Sequence, residues 1–278
     1  MLTISEIKAI CQEYNITPTK SKGQNFLFDQ NVMEKIIQSA KLGPKDVVLE
    51  IGPGLGVLTD DLIKQSGQVT AVELDKKLIY FLRKKYASAP NLKIIEGDIL
   101  KLNISTLDLK RPYKIVANLP YNITSNFIRN FLETENPPIE MIIMIQKEVA
   151  QRIVAKKGEM SLLSLSVQFY AEPKILFEVS RNSFWPSPQV DSAVISLKLK
   201  SSLPFSDPKA FFKVAKIGFS AKRKQLHNNL ANGLHLGNDQ IKGFLKDMGL
   251  TEKIRAQDLA MEDWVKLLQK LEITKTQK

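Results

Sequence analysis

From residue 46 onward, short apolar runs alternate with longer amphipathic stretches, and this rhythm predicts most of the fold. Strands are predicted at 46–51, 68–73, 92–96, 113–118 and 139–145, and helices at 56–65, 75–87, 124–133, 147–155 and 160–170. Two further strands are predicted at 174–180 and 191–200. Alternating strand and helix units imply an α/β fold with a mostly parallel sheet covered on both faces. The stretch from Asp191 to Lys200 alternates apolar and polar positions, as a one-sided or antiparallel strand does. Residues 1–15 place Ile4, Ile7, Ile10 and Cys11 on one face of a short helix. A polar loop over 16–31 follows, and Asp29 is placed to cap a helix at 30–41.

Leu203-Pro-Phe-Ser-Asp-Pro208 ends the strand pattern. Beyond it helices are predicted at 208–219, 222–233, 238–248, 255–258 and 261–272, with Gly233, Gly237 and Gly249 as breaks. The chain therefore reads as an N-terminal extension (1–22), an α/β domain (23–203) and a small helical domain (204–278).

Composition narrows the function classes. Of 278 residues, 44% are hydrophobic and 25% charged, the balance of a soluble globular protein. No window approaches the ~18 unbroken apolar residues of a membrane span, and the N-terminus has no signal-peptide core. Cys11 is the sole cysteine, so no internal disulfide can form, and His227 and His235 are the only histidines, which argues against a His/Cys metal site. A reducing cytoplasm, a monomer and no metal are the expectations. The excess of 40 Lys+Arg over 29 Asp+Glu, +11 in all, points to a polyanionic partner. Residues 201–278 hold fourteen basic and eight acidic residues, a bias that favours nucleic acid over a membrane surface.

Candidate chemistry sits at predicted strand ends. After the strand Val47-Val-Leu-Glu-Ile51 comes a turn with Gly52, Gly54 and Gly56, which permits close approach of a ligand. Open α/β folds bind ligands at the carboxyl ends of their strands, where this turn lies. Glu73 ends the next strand, where an acid accepts hydrogen bonds from ribose hydroxyls, and Asp98 follows the third, where it can accept from an adenine amino group. Asp75 reads as the helix cap there. The three positions together argue for an adenosine-containing ligand. The glycine spacing departs from the dinucleotide Gly-x-Gly-x-x-Gly pattern. An acid, Glu50, stands just before the turn, which suits the cationic sulfonium of S-adenosylmethionine and opposes a pyrophosphate.

Asn118-Leu-Pro-Tyr121 closes the fourth strand. Asn118 offers an acceptor and a donor, Pro120 stiffens the loop and holds Leu119 extended, and Tyr121 offers a flat face. Such a set can grip a planar base carrying an exocyclic amine. Taken alone, it is also compatible with a plain proline turn.

With these residues in place, the chain closely resembles the ribosomal RNA adenine dimethyltransferases. The shared motifs are Gly23-Gln-Asn-Phe-Leu27, Leu49-Glu-Ile-Gly-Pro-Gly-Leu-Gly56, Val72-Glu-Leu-Asp75, Gly97-Asp-Ile99, Asn118-Leu-Pro-Tyr121, Gln146-Lys-Glu-Val-Ala150 and Phe184-Trp-Pro-Ser-Pro-Gln-Val-Asp191. The resemblance implies a Rossmann-like methyltransferase sheet with a helical C-terminal domain, and S-adenosylmethionine as methyl donor. It implies that Gln24, Asn25, Leu27, Gly52, Gly54, Glu73, Asp98 and Asn118 bind the donor. Asn118, Leu119, Pro120, Tyr121 and Phe184 would hold the target adenine, Tyr121 and Phe184 on its two faces. Residues 219–230, Phe-Ser-Ala-Lys-Arg-Lys-Gln-Leu-His-Asn-Asn-Leu, resemble the small-subunit branch, which dimethylates two adjacent adenosines in the 3′-terminal hairpin loop of small-subunit rRNA within a 30S precursor. Alternatives are the large-subunit, resistance-type branch and a non-catalytic assembly factor of the same fold. Lys222, Arg223 and Lys224, expected to begin a helix, are candidate phosphate contacts, with Lys147 and Arg152 as weaker ones. The extension before Gln24 has no role that the resemblance assigns.

Overall fold

The computed structural model describes residues 2–18 and 24–276; Thr19 to Gly23 of the predicted loop lie outside the described residues. In chain order the elements are α1 (Ile4–Glu13), β1 (Phe26–Leu27), α2 (Gln30–Ala40), β2 (Val47–Ile51), α3 (Thr59–Gln65), β3 (Gln68–Glu73), α4 (Lys76–Lys85), β4 (Leu92–Glu96) and β5 (Tyr113–Asn118). Then come α5 (Thr124–Leu132), β6 (Glu140–Gln146), α6 (Lys147–Ile153), α7 (Leu162–Tyr170), β7 (Ala171–Val179), β8 (Phe184–Trp185) and β9 (Ser192–Leu199). The chain ends with α8 (Pro208–Gly218), α9 (Leu226–Leu234), α10 (Asn238–Asp247) and α11 (Met261–Thr276).

The helix starts follow the capping chemistry of the sequence. Asp29 accepts a hydrogen bond from the Val32 N–H, Asp75 from Lys77 and Asp207 from Ala210, while Thr3 and Glu6 form a reciprocal capping box on α1. Each contact satisfies an N–H group that a helix's first turn leaves unpaired.

A seven-stranded sheet runs in the order β4-β3-β2-β5-β6-β9-β7. Strands β2 to β6 are parallel, and β9 pairs antiparallel with β6. The antiparallel expectation for the last strand therefore holds, and β9, buried along most of its length, lies inside the sheet between β6 and β7. From β2 the chain steps outward through β3 to β4, then returns to β5 on the other side of β2. That reversal leaves a crevice at the carboxyl ends of β2 and β5, the place where open α/β sheets bind ligands.

The chain forms two compact units, 1–150 with 172–199, and 151–171 with 200–278. Residues 151–171, read from sequence as part of the sheet domain, belong to the helical unit. Met160, Leu165 and Phe169 share its core with Phe211, Leu226 and Trp264. The Phe169 ring lies 4.6 Å from that of Phe211. In the other unit, the N-terminal helix and the residues just after it pack into a core. Ile7, Cys11 and Ile16 are buried with Phe26, Leu55, Leu78 and Phe81.

Smaller differences also have local causes. The helix expected at 56–65 begins at Thr59 because the glycine turn runs on before it, and 255–258 is a 3-10 turn. The two-stranded pairing of β1 with β8 was not expected, since each strand is two residues long and the partners lie far apart in sequence. Lys222, Arg223 and Lys224 do not begin a helix. They form a turn ahead of α9, closed by Lys224 N–H donating to the Ala221 carbonyl at 3.0 Å. The buried Asn229 amide braces this turn, donating to the carbonyls of Gly218 (2.7 Å) and Ala221 (3.1 Å).

Candidate active site

The crevice at the strand ends is a cavity lined by every donor and base candidate proposed from sequence: Gln24, Asn25, Leu27, Gly52, Gly54, Glu73, Asp98, Asn118, Leu119, Pro120, Tyr121 and Phe184. Six segments deliver them. The turn after β2 forms the floor, with Gly52 at φ +62° and Gly54 at φ +59°, backbone conformations that L side chains rarely adopt. A Cβ on Gly54 would also press on the Phe26 ring at 3.4 Å.

Glu73 is 7% exposed and held by backbone alone. Its Oε1 accepts from the Leu74 and Asp75 N–H groups at 2.8 and 2.9 Å, and its Oε2 accepts from Gly54 N–H at 3.2 Å. Burial raises its pKa, opposed by those three hydrogen bonds. The carboxylate thus ties the glycine turn to the end of β3. Asp98 is positioned one strand further on, where Leu100 N–H donates to its Oδ1 at 3.0 Å and Lys101 lies 3.6 Å from its Oδ2. Gln24, from the segment before β1, donates to Asp75 Oδ2 at 3.4 Å and closes that side.

On the β5 side, Asn118 is the last strand residue, in register with Met144 of β6. Leu119 is buried, and its N–H donates to the Met144 carbonyl at 3.1 Å, which extends the ladder into the loop and fixes the direction of Asn118. Among the described residues neither the Asn118 side-chain amide nor the Leu119 carbonyl has a hydrogen-bond partner. Both are polar groups on the cavity wall, free for a ligand. The Tyr121 hydroxyl lies 2.8 Å from Ser192 Oγ on β9, which orients its ring. Phe184 lines the same cavity but is 3% exposed, anchored in the core with Leu27, Val179 and Val194. It is therefore a core aromatic and a cavity wall at once.

Glu50, cited from sequence only for its charge, proves to be the most deeply buried acid here, 1% exposed. Thr59 donates to it at 2.7 Å. Burial, aided by the neighbouring Glu73, pushes its pKa up to about 8 against the Thr59 hydrogen bond. Among the described residues the cavity is lined by Glu50, Glu73, Asp75 and Asp98 and by no Lys, Arg or His. Such a lining suits a cationic ligand with ribose and amino groups and is hostile to a pyrophosphate. The apolar wall of Leu55, Leu78 and Ile99 offers a slot for a flat ring. Periodicity shows these apolar residues as core; only the folded sheet shows that they also face the cavity.

The ribosomal RNA adenine dimethylase family profile matches residues 17–272. The chain belongs to that family. The Ribosomal RNA small subunit methyltransferase A of Dehalococcoides mccartyi is 44% identical over 267 residues, covering 95% of this chain and 92% of the relative. The protein of the same name from Clostridioides difficile is 37% identical over 92% of each chain. Among solved structures, a dimethyladenosine transferase from Plasmodium falciparum superposes with a TM-score of 0.78 at 29% identity, covering 91% of this chain and 98% of that one. The 23S rRNA methyltransferase ErmE gives 0.75 at 26% identity, covering 89% and 100%. This member of the adenine dimethylase family is thus a methyltransferase enzyme with the Rossmann-like sheet expected of it.

The basic candidates are more scattered. Lys147 pairs with Glu178 at 2.7 Å, a contact that raises its pKa, and Arg152 is exposed on the other unit. Lys222, Arg223 and Lys224 are all exposed on their turn. Among the described residues no helix is long and apolar enough to cross a membrane, and no group of His, Cys, Asp and Glu is suited to a metal.

Proposed function

We propose that this protein transfers methyl groups from S-adenosylmethionine to N6 of two adjacent adenosines in the 3′-terminal hairpin loop of small-subunit rRNA. It would act on a 30S precursor, as a monomer in the cytoplasm. The observation that carries the reading is the unpartnered Asn118 amide and Leu119 carbonyl, set on one cavity with Glu73 and Asp98. Identity of 35–44% to small-subunit relatives over most of the chain supports the small-subunit branch over the large-subunit one.

When bound, S-adenosylmethionine supplies an activated methyl group on a positively charged sulfur. Glu73 would accept the ribose hydroxyls, Asp98 the adenine amino group, and Gly52 would allow the amino-acid part close to backbone. Gln24, Asn25 and Leu27 would close the cavity from the N-terminal side. Adenine N6 is a poor nucleophile because its lone pair is delocalised into the ring. Asn118 Oδ1 and the Leu119 carbonyl, accepting the two N6–H bonds, favour a pyramidal nitrogen with its lone pair directed at the methyl carbon. Most of the rate gain then comes from alignment. Tyr121 and Phe184 would flank a base swung out of its loop, which is inexpensive in single-stranded RNA. The N6 proton can leave to water after transfer, so no side chain of shifted pKa is required as base.

The test is methylation of 30S subunits that lack the modification, followed by nucleoside analysis. Wild type should yield dimethyladenosine. Asn118→Ala should lose at least about a hundredfold in turnover while keeping its circular dichroism and thermal midpoint. Wild-type turnover in that variant would overturn the assignment. Methylation of naked large-subunit rRNA in preference to 30S particles would favour the other branch.

A further inference from the structure

Helix α4 carries a surface that the donor cavity does not use. It reads Lys76-Lys-Leu-Ile-Tyr-Phe-Leu-Arg-Lys-Lys85, with no acidic residue. Leu78, Ile79, Phe81 and Leu82 are buried, so Lys76, Lys77, Arg83 and Lys84 stand on the outer face, while Lys85 is tied back to Asp60 at 2.8 Å. Tyr80, 66% exposed, is among the most exposed large hydrophobic side chains of the described residues. Its helical neighbours three and four positions away are Lys76, Lys77, Arg83 and Lys84, all exposed. Lys76 and Lys77 occupy the first turn, where the helix dipole disfavours positive charge, and like charges at this spacing repel. The helix itself offers these cations no acidic partner, so a polyanion would add favourable contacts.

Ring contacts extend the same surface. Tyr14, at the end of α1, has its ring 6.2 Å from that of Tyr80, with the Lys84 ammonium 5.4 Å from the Tyr14 centroid. On the other side of α1, the Lys8 ammonium lies 5.9 Å from the Trp185 ring. Trp185 follows Phe184 and pairs with Phe26, both of which line the donor cavity. Leu74, 57% exposed, lines the same cavity just before α4 begins. Ring and cation pairs therefore stand both beside the cavity, at Trp185 and Lys8, and at the outer face of α4, at Tyr14, Lys84 and Tyr80.

We infer that the outer face of α4, with the end of α1, is a second RNA-contact surface that takes single-stranded nucleotides near the target loop. A base stacks on Tyr80, and Lys76, Arg83 and Lys84 meet the flanking phosphates, the combination that single-stranded RNA favours. Among the described residues Lys76 has only a loose, exposed pairing with Glu96 at 3.7 Å, which a phosphate displaces at little cost. Lys77 donates to the Asn15 carbonyl, joining α4 to the end of α1 and keeping the surface in one piece. The inference rests on the rRNA reading above and gives the N-terminal extension a part in it.

The test uses the full chain, undermethylated 30S subunits and a labelled oligoribonucleotide of the target hairpin. Tyr80→Ala should weaken binding to both RNAs about tenfold. Lys76→Gln with Arg83→Gln should lower the slope of log affinity against log salt by about 1–2. Both variants should keep wild-type affinity for S-adenosylmethionine and an unchanged thermal midpoint. Wild-type RNA affinity and slope in both variants would overturn the inference. So would loss on 30S subunits with full retention on the hairpin, which would assign the surface to a ribosomal protein. If wild type itself bound neither RNA, the rRNA reading would fail instead.

Discussion

Replacing Glu50 by Gln tests how the donor cavity balances charge against burial. Glu50 is buried with Glu73 as a neighbour, and its pKa is pushed from the ordinary 4.5 to about 8. In the unfolded chain it ionises near its ordinary value, so folding favours the protonated form. A carboxyl raised in this way contributes stability that is complete below about pH 4.5 and is lost as pH rises through about 8. At roughly 1.4 kcal/mol per pH unit, the loss across that window is about 3–5 kcal/mol. Gln cannot ionise, and its carbonyl can still accept from Thr59. The donor-free variant should match wild type near pH 5 and exceed it by several degrees in thermal midpoint near pH 8.5. Scans of both proteins across that range, without donor, measure the difference. A constant offset at all pH values would show that Glu50 ionises as an ordinary carboxylate and would refute the reasoning. The sulfonium cation should pull Glu50 back towards its charged form. The variant should therefore lose more affinity for S-adenosylmethionine than for the uncharged product, and donor binding near pH 7 should release a proton.

Three further predictions follow from particular contacts. Phe184→Ala, opening a cavity at a 3% exposed site, should cost about 3–5 kcal/mol; Phe184→Leu should keep the fold, lowering methyl transfer more than donor affinity in a kinetic and calorimetric comparison, and equal loss of both would leave Phe184 purely structural. Gly218→Ala would set a Cβ 2.4 Å from Trp264 Cη2 inside the helical core, so urea unfolding should show a loss of about 1–3 kcal/mol, and unchanged stability would mean that the core yields there. Neutralising Lys222, Arg223 and Lys224 should lower the salt slope of RNA binding by about 2–3, and Asn229→Ala, which releases the Gly218 and Ala221 carbonyls, should act in the same direction; an unchanged slope would make that turn a solvated surface.

The parallel strands and their helices were legible because each carries its own signal. Fully buried strand stretches such as Met141–Ile145 are apolar throughout, and helix starts are marked by Asp29, Asp75 and Asp207. The candidate site was legible because ligands bind these sheets at strand ends, and the strand ends could be placed. Harder to read were features made by partners distant in sequence. The Phe26–Trp185 pairing joins segments too short to announce themselves, and the helix capped by Ser161 is as apolar as any core helix, which says nothing about which core it enters. The turn at Lys222–Lys224 failed for a related reason. Its basic residues are good helix formers, and it takes a contact made in the folded chain, Asn229 bonded back to Gly218 and Ala221, to hold them as a turn ahead of α9.

By itself the sequence determined the element types, the α/β class, the glycine turn and the acids and amide at successive strand ends, because periodicity, caps and turn chemistry are local properties. The tertiary structure alone decided what those residues became. It buried Glu50, held the Glu73 carboxylate with three N–H groups, left the Asn118 amide and the Leu119 carbonyl without partners, and folded the N-terminal helix against the donor wall. Desolvation, hydrogen-bond satisfaction and side-chain packing depend on which distant segments meet, and only the folded chain brings them together.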